Sequence, residues 1–130
     1  VVALQRFVVA EKRSKEMIQC KRLYDEVSEG DGYRILVDRL WPRGMKKEAL
    51  ACDEWCKTLT PSNDLRKAFH SETIDFASFS DAYRQELEQH QDEGLRIARL
   101  ADKQTVTLLY GAKDRKQNHA LVLADWLRQL

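Results

Sequence analysis

Cysteine, proline and glycine are all scarce in this chain, with three, two and five among 130 residues. Three cysteines are an odd number in a chain rich in helix formers. They fit a reducing cytoplasm better than the disulfide framework of a small secreted domain. Charge of one sign is lacking as well. The formal net charge of +1 argues against a dedicated nucleic-acid binder, which carries a strong basic excess, although a local basic patch stays open. No uninterrupted apolar stretch approaches the roughly 20 residues that span a bilayer, so no membrane partner is expected. No segment joins a basic start, an apolar middle and a small-residue cleavage site, which again points to the cytoplasm. Glycine-rich signatures are missing too: there is no G-x-x-x-x-G-K-[ST] phosphate loop and no G-x-G-x-x-G. A G-x-S-x-G nucleophile turn is also absent. These gaps remove the easily recognised NTPases, dinucleotide enzymes and hydrolases, and they leave the cofactor unspecified. Cys52 and Cys56 would share one face of a helix, but no second Cys/His pair completes four ligands, so no metal is expected.

What is present suits one domain with a real core. Residues 1–16 stand apart: Val1 to Ala10 is apolar but irregular, and Glu11 to Glu16 is almost wholly charged. Met17 then opens a clean strand pattern. Residues 1–16 are therefore expected to be a cloning remnant or non-native extension, disordered, with 17–130 as the single domain. The competing reading packs Leu4, Phe7 and Val8 as an N-terminal helix or strand.

Apolar runs predict strands at Ile18–Leu23, Tyr33–Leu40 and Thr105–Tyr110. Helical spacing predicts helices over Lys46–Leu59, from a Thr60 or Ser62 cap through Phe69, over Asp75 to about His90, and over Asn118–Leu130. A break is expected near Gly94, with further helical turns after it. Short apolar strands alternating with amphipathic helices predict an α/β fold, a small and mostly parallel sheet covered by helices. The link from the first strand to the second is too short for an ordinary crossover. Those two are either antiparallel or separated in the sheet.

Two constellations carry chemistry. Tyr33 to Gly44 is a buried strand whose end delivers Asp38, Arg39, Trp41 and Arg43 to one region. Ligands of open α/β sheets bind at such ends. With Arg22 and Lys113, these guanidinium and ammonium groups suit an anionic ligand, Asp38 would orient an Arg, and Trp41 would stack. The alternative is a surface ion-pair network with Trp41 filling core space. The second constellation is Tyr110-Gly111-Ala112-Lys113-Asp114 leading to Asn118 and His119. Gly111 permits a sharp exit from the strand, Asn118 is a fitting N-cap, and the first turn of the following helix presents free N–H groups to an anion. Asp38, Tyr110 and His119 are the candidates for acid and base work. A satisfied structural histidine is the competing reading of His119, and a helix-dipole contact accounts for His70.

Several strings together resemble one known family. They are Cys20-Lys21-Arg22-Leu23-Tyr24-Asp25, Asp31 through Gly44, Leu65 to His70, Thr107 to Tyr110, and Asn118 to Leu123. From Met17 onward the chain closely resembles the YeaO-like family of uncharacterised bacterial proteins, domain-of-unknown-function family 488. The resemblance implies that longer relatives keep an Asp-bearing strand end, with Cys-His where this chain has Asn118-His119. It also implies a layout loosely like that of rhodanese-type sulfurtransferases. Their loop nucleophile is a Cys, and the Tyr110 to Lys113 stretch has none, so persulfide transfer is not expected. The label uroporphyrin-III methyltransferase, attached to some relatives, does not suit a chain this short without glycine-rich cofactor turns. Two readings stay open. One is a small enzyme acting on an anionic phosphate, nucleotide or carboxylate; the other is a non-catalytic module recognising an acidic partner or nucleic acid. The oligomeric state is left undetermined. Deleting residues 1–16 should leave the thermal unfolding midpoint unchanged; a substantially lowered midpoint in calorimetry would show that the segment packs.

Overall fold

The computed structural model describes residues 17–130; the expectations for residues 1–16, Leu4, Phe7 and Val8 included, lie outside the described residues. Four short strands form one sheet: β1 (Ile18–Arg22), β2 (Tyr33–Leu36), β3 (Glu54–Trp55) and β4 (Val106–Tyr110). Their order is β1-β4-β2-β3, and every neighbouring pair is parallel. The described helices are α1 (Lys47–Leu50), α2 (Asn63–His70), α3 (Phe76–Glu88), α4 (Gln91–Lys103) and α5 (His119–Arg128), with a single 3-10 turn at Glu29–Asp31. The fold is α/β, with a small parallel sheet. The first two strands are indeed separated, because β4 lies between them.

Strand β4 has neighbours on both edges and all five of its residues are buried, which is why its run shows no alternation. The two faces differ in what covers them. Ile18, Ile35, Val37, Val106, Leu108 and Tyr110 meet Phe79, Tyr83 and Leu87 of α3, Ile97 of α4 and Leu123 and Trp126 of α5 in the main core. On the other face Leu23, Leu36, Leu50 and Leu109 form a smaller cluster with Trp41 and Trp55 against it. The connector from β1 to β2 has no helix of its own length. It lies across this second face, where Lys21 reaches Asp31 at 3.0 Å and the Thr107 hydroxyl donates to the Asp31 carbonyl at 2.7 Å.

Local chemistry sets the helix starts. Ser62, not Thr60, caps α2 by accepting from the Leu65 N–H, Asp75 accepts from Ser78, and Asn118 accepts from Leu121. Three expectations need correction. The helix over Lys46–Leu59 ends at Leu50, because Ala51 turns left-handed and the Asp53 N–H donates to the Arg34 carbonyl, drawing the chain into β3. Cys52 and Cys56 therefore do not share a helix face. The break lies at Gln89 and His90 rather than near Gly94. Gly94 is inside α4, where a Cβ would stand 2.4 Å from the Trp126 ring, so its absence is what lets α5 approach. The second strand stops at Leu36, which leaves Asp38 beyond the sheet.

A buried guanidinium fastens this arrangement. Arg34 and Asp31, 4% and 2% exposed, form an ion pair. Arg34 also donates to the Leu50 carbonyl at 2.8 Å and the Ala51 carbonyl at 3.1 Å. Burial works to raise the Asp31 carboxyl, but hydrogen bonds from the Ser28 N–H, Lys21 and Arg34 outweigh it and hold the group below its ordinary range. A depressed carboxylate stabilises the fold above its unfolded value, about 3.9, and the contribution is lost as pH falls through the folded value. Arg34→Met should cost about 3–5 kcal/mol in urea denaturation, because it takes away the buried partner of Asp31 and the donor to the Leu50 and Ala51 carbonyls. The wild type should lose stability below about pH 4 more steeply than Asp31→Asn does.

Candidate functional site

The carboxyl ends of the parallel strands all point one way, and the segments leaving them enclose a cleft of about 310 Å³. Leu23 and Tyr24 follow β1, Asp38, Arg39, Leu40 and Pro42 follow β2, and Gly111 and Ala112 follow β4. Pro61 precedes α2, and α2 itself contributes Arg66, Phe69 and His70. Phe79 of α3 and Asn118 and His119 at the start of α5 complete the wall. The floor is apolar: Phe69 stacks on Phe79 with centroids 4.5 Å apart.

Asp38 and His119 form the polar centre. Asp38 Oδ2 accepts from the Gly111 N–H at 2.9 Å, tying the end of β2 to the end of β4. The Trp55 indole N–H donates to the Asp38 carbonyl at 2.8 Å and fixes the backbone there. His119 Nε2 lies 2.9 Å from the Val37 carbonyl and 3.1 Å from Asp38 Oδ1. A carbonyl only accepts, so Nε2 carries the proton and donates. That N–H is aimed at Val37. Asp38 Oδ1 is buried and has no hydrogen-bond partner among the described residues. The next residue back, Asn118, is 1% exposed and holds both neighbouring turns. Its Oδ1 accepts from Leu121 and its Nδ2 donates to the Asp114 carbonyl at 2.9 Å.

The cationic side of the cleft is less committed. Among the described residues Arg39 reaches only the Pro61 carbonyl, at 3.5 Å. Arg66 donates to Asn63 Oδ1 at 3.3 Å, and its Nε is buried without a hydrogen-bond partner. Neither guanidinium has a carboxylate within ion-pair distance among the described residues.

Of the residues singled out from sequence, the structure brings together Asp38, Arg39, Asn118 and His119. Arg22 supports the wall from behind, donating to the Ala112 carbonyl at 3.0 Å and lying over the Tyr24 ring. Lys113 lines an adjoining depression that shares Phe69, His70, Gly111 and Ala112 with the cleft. Trp41 is absent from the lining: it packs edge-on against Trp55 and donates to the Met45 carbonyl at 2.7 Å, on the opposite face of the sheet. Arg43 is exposed and does not line the cleft. Tyr110 is 3% exposed within the main core, and burial pushes its phenol up. Gly111 serves space rather than backbone freedom: its φ is not positive, but a Cβ would stand 2.8 Å from Asp38 Oδ2.

Arg66 and Phe69 are not singled out by the sequence reading and His70 is assigned there to a helix-dipole contact, although the 3-and-4 spacing from Arg66 puts all three on one face of α2. No cysteine lines the cleft; burial raises the Cys20 and Cys56 thiols to about 11, so both are protonated at neutral pH. A Glu54, Cys56 and Glu93 group has ligand atoms within 4.8 Å of one another. Arg96 already pairs with both carboxylates, so the space is held by a cation.

A family model described as the inactive DUF488-N3 subclade matches residues 17–130. The chain belongs to this family. It is 65% identical over 113 residues to uncharacterized protein YeaO of Escherichia coli (strain K12), covering 87% of this chain and 98% of that protein. It is also 33% identical over 111 residues to uncharacterized protein Rv3073c of Mycobacterium tuberculosis (strain ATCC 25618 / H37Rv), covering 85% of this chain and 92% of that one. No solved structure matches the chain. Among the described residues, no helix is long and apolar enough to cross a membrane. Gly111→Ala should destabilise by about 1–3 kcal/mol through collision with Asp38. Gly30→Ala, where a Cβ meets nothing closer than 3.6 Å, should stay within about 0.5 kcal/mol in the same denaturation assay.

Proposed function

We propose that the cleft binds a small anionic molecule with an apolar body, and that the protein works as a binding module. One observation carries this reading: among the described residues Arg39 and Arg66 stand at the cleft without carboxylate partners, with Arg66 Nε buried and unsatisfied. An unpaired buried guanidinium donor costs free energy unless something accepts from it, and a phosphate or carboxylate matches its geometry. The stacked Phe69 and Phe79 rings, with Leu23 and Pro61, offer an apolar bed for the rest of the ligand. Among the described residues the lining contains no Cys, Ser, Thr or Lys, and Asp38 and His119, its central polar pair, are tied to the strand ends. The family description, an inactive subclade, agrees with a binding module.

A second reading has a specific observation behind it. Tyr24 and Leu40 at the rim are 56% and 63% exposed, and such apolar groups beside arginines suit an acidic segment of a partner protein.

The first reading is tested with phenyl phosphate as probe, by calorimetry or by amide chemical-shift titration. Arg39→Ala and Arg66→Ala should each weaken binding by about tenfold or more, the loss of a charge-assisted hydrogen bond, while Arg43→Ala leaves it unchanged. No phenol should be released on prolonged incubation. Unchanged affinity in both cleft variants would remove the reading, and steady turnover would replace the binding module by an enzyme.

A further inference from the structure

The hydrogen-bond accounting of the cleft says more about its ligand than its charge. We infer that this ligand carries a hydroxyl donor beside its anionic group, as a polyol phosphate does; the inference rests on the anion reading above. The inner wall of the cleft, unlike its mouth, has acceptors to offer. His119 Nε2 spends its proton on the Val37 carbonyl, 2.9 Å away, so in the neutral ring Nδ1 is a bare lone pair. Nδ1 has no hydrogen-bond partner among the described residues, and His119 lines the cleft. Asp38 stands behind the ring, 3.1 Å from Nε2, and adds negative potential to this end. Asn118, the other polar group there, is 1% exposed, with one N–H of its Nδ2 given to the Asp114 carbonyl and its Oδ1 accepting from Leu121. The Asp38 Oδ2 atom is taken by the Gly111 N–H.

A bare anion placed against this wall would face a lone pair and a carboxylate. A hydroxyl placed there donates to Nδ1 and suits the same field. Donors are found on the other side, where Arg39 is exposed and Arg66 keeps an unused Nε–H. The two sides are complementary to a molecule with an anionic end and an O–H end, and the stacked phenyl rings lie along the same lining. Neither end alone satisfies the cleft. The anion fixes the ligand to the arginines, and the hydroxyl decides which anion fits.

The test compares sn-glycerol 3-phosphate with n-propyl phosphate, which has the same charge and carbon count but lacks both hydroxyls. Each is titrated into the full chain while long-range proton–nitrogen spectra follow the imidazole nitrogens. In the free protein the proton of the neutral His119 ring should sit on Nε2. Glycerol 3-phosphate should bind about tenfold more tightly, the factor one net hydrogen bond supplies, and should move the His119 Nδ1 resonance. Propyl phosphate should bind through the arginines and leave Nδ1 where it was. Equal affinities, or a neutral ring protonated on Nδ1, would overturn the inference while leaving the anion reading intact. If phenyl phosphate binds and both of these phosphates fail, the inference falls alone. If none of the three binds, the anion reading falls and takes the inference with it.

Discussion

Everything in the small layer of this protein hangs on one buried guanidinium. Arg34 takes Asp31 as its counter-ion on the connector before β2 and the carbonyls of Leu50 and Ala51 on the segment after it. Its own N–H donates to the Asp53 carboxylate at 2.9 Å, and its carbonyl accepts from the Asp53 N–H at 2.7 Å. A planar fork with five donors can hold three chain segments at once in a way an ammonium cannot. With Asp53 held, Glu54 and Trp55 fall into register beside Ile35 and Leu36. Trp55 can then place its indole N–H on the Asp38 carbonyl. The position of the cleft carboxylate thus follows from an ion pair on the other side of the same strand.

Parallel pairing supplies the second constraint. Since β1, β2, β3 and β4 run the same way, their carboxyl ends share one edge, and the polar residues that follow them must meet there. The end of β4 would otherwise leave the Gly111 N–H unpaired, and the end of β2 would leave the Val37 carbonyl exposed to the cleft. Asp38 and His119 answer these two needs with one side chain each. A carboxylate taken out of water is expensive unless several groups satisfy it, and here an N–H and an imidazole both bear on it. The pair is therefore part of the scaffold as well as part of the cleft wall.

This dual role explains what was legible in the sequence. The run ending at Asp38 and the Asn118-His119 cap advertise themselves, because a polar group at a strand end or a helix start is a local signal. The apolar run of β4 was equally plain. Trp41, Arg43 and Tyr110 looked like equal members of the site, yet their fates depend on which face of the sheet each side chain takes, and a run without alternation does not reveal that. Tyr110 follows the same face as Leu108 and Val106 into the main core. Trp41 is claimed by the second face, where the two-residue strand β3 brings Trp55 within 5.4 Å. The sequence points to helix there because Leu50, Trp55 and Leu59 have plausible helical spacing, and the pull of Arg34 on Ala51 and Asp53 is a tertiary effect invisible at that range.

The α2 wall escapes the sequence reading for a different reason. Arg66 and His70 look like ordinary charges on a short surface helix, and only the cap at Ser62 and the stack of Phe69 on Phe79 turn that face toward the strand ends. Glu86 braces the cap from α3, accepting from the Ser62 N–H at 2.8 Å and the Ser62 hydroxyl at 2.6 Å. The orientation of α2 is thus set by a carboxylate outside the cleft, while its cleft-facing side chains carry none of the sheet's structural hydrogen bonds. Replacing Asp38 or His119 would disturb strand ends that must be satisfied in any member of this fold. Replacing Arg66 or His70 would disturb little else. The scaffold-bound half of the cleft is chemically rigid, and the half contributed by α2 is where side chains can change without rebuilding the sheet.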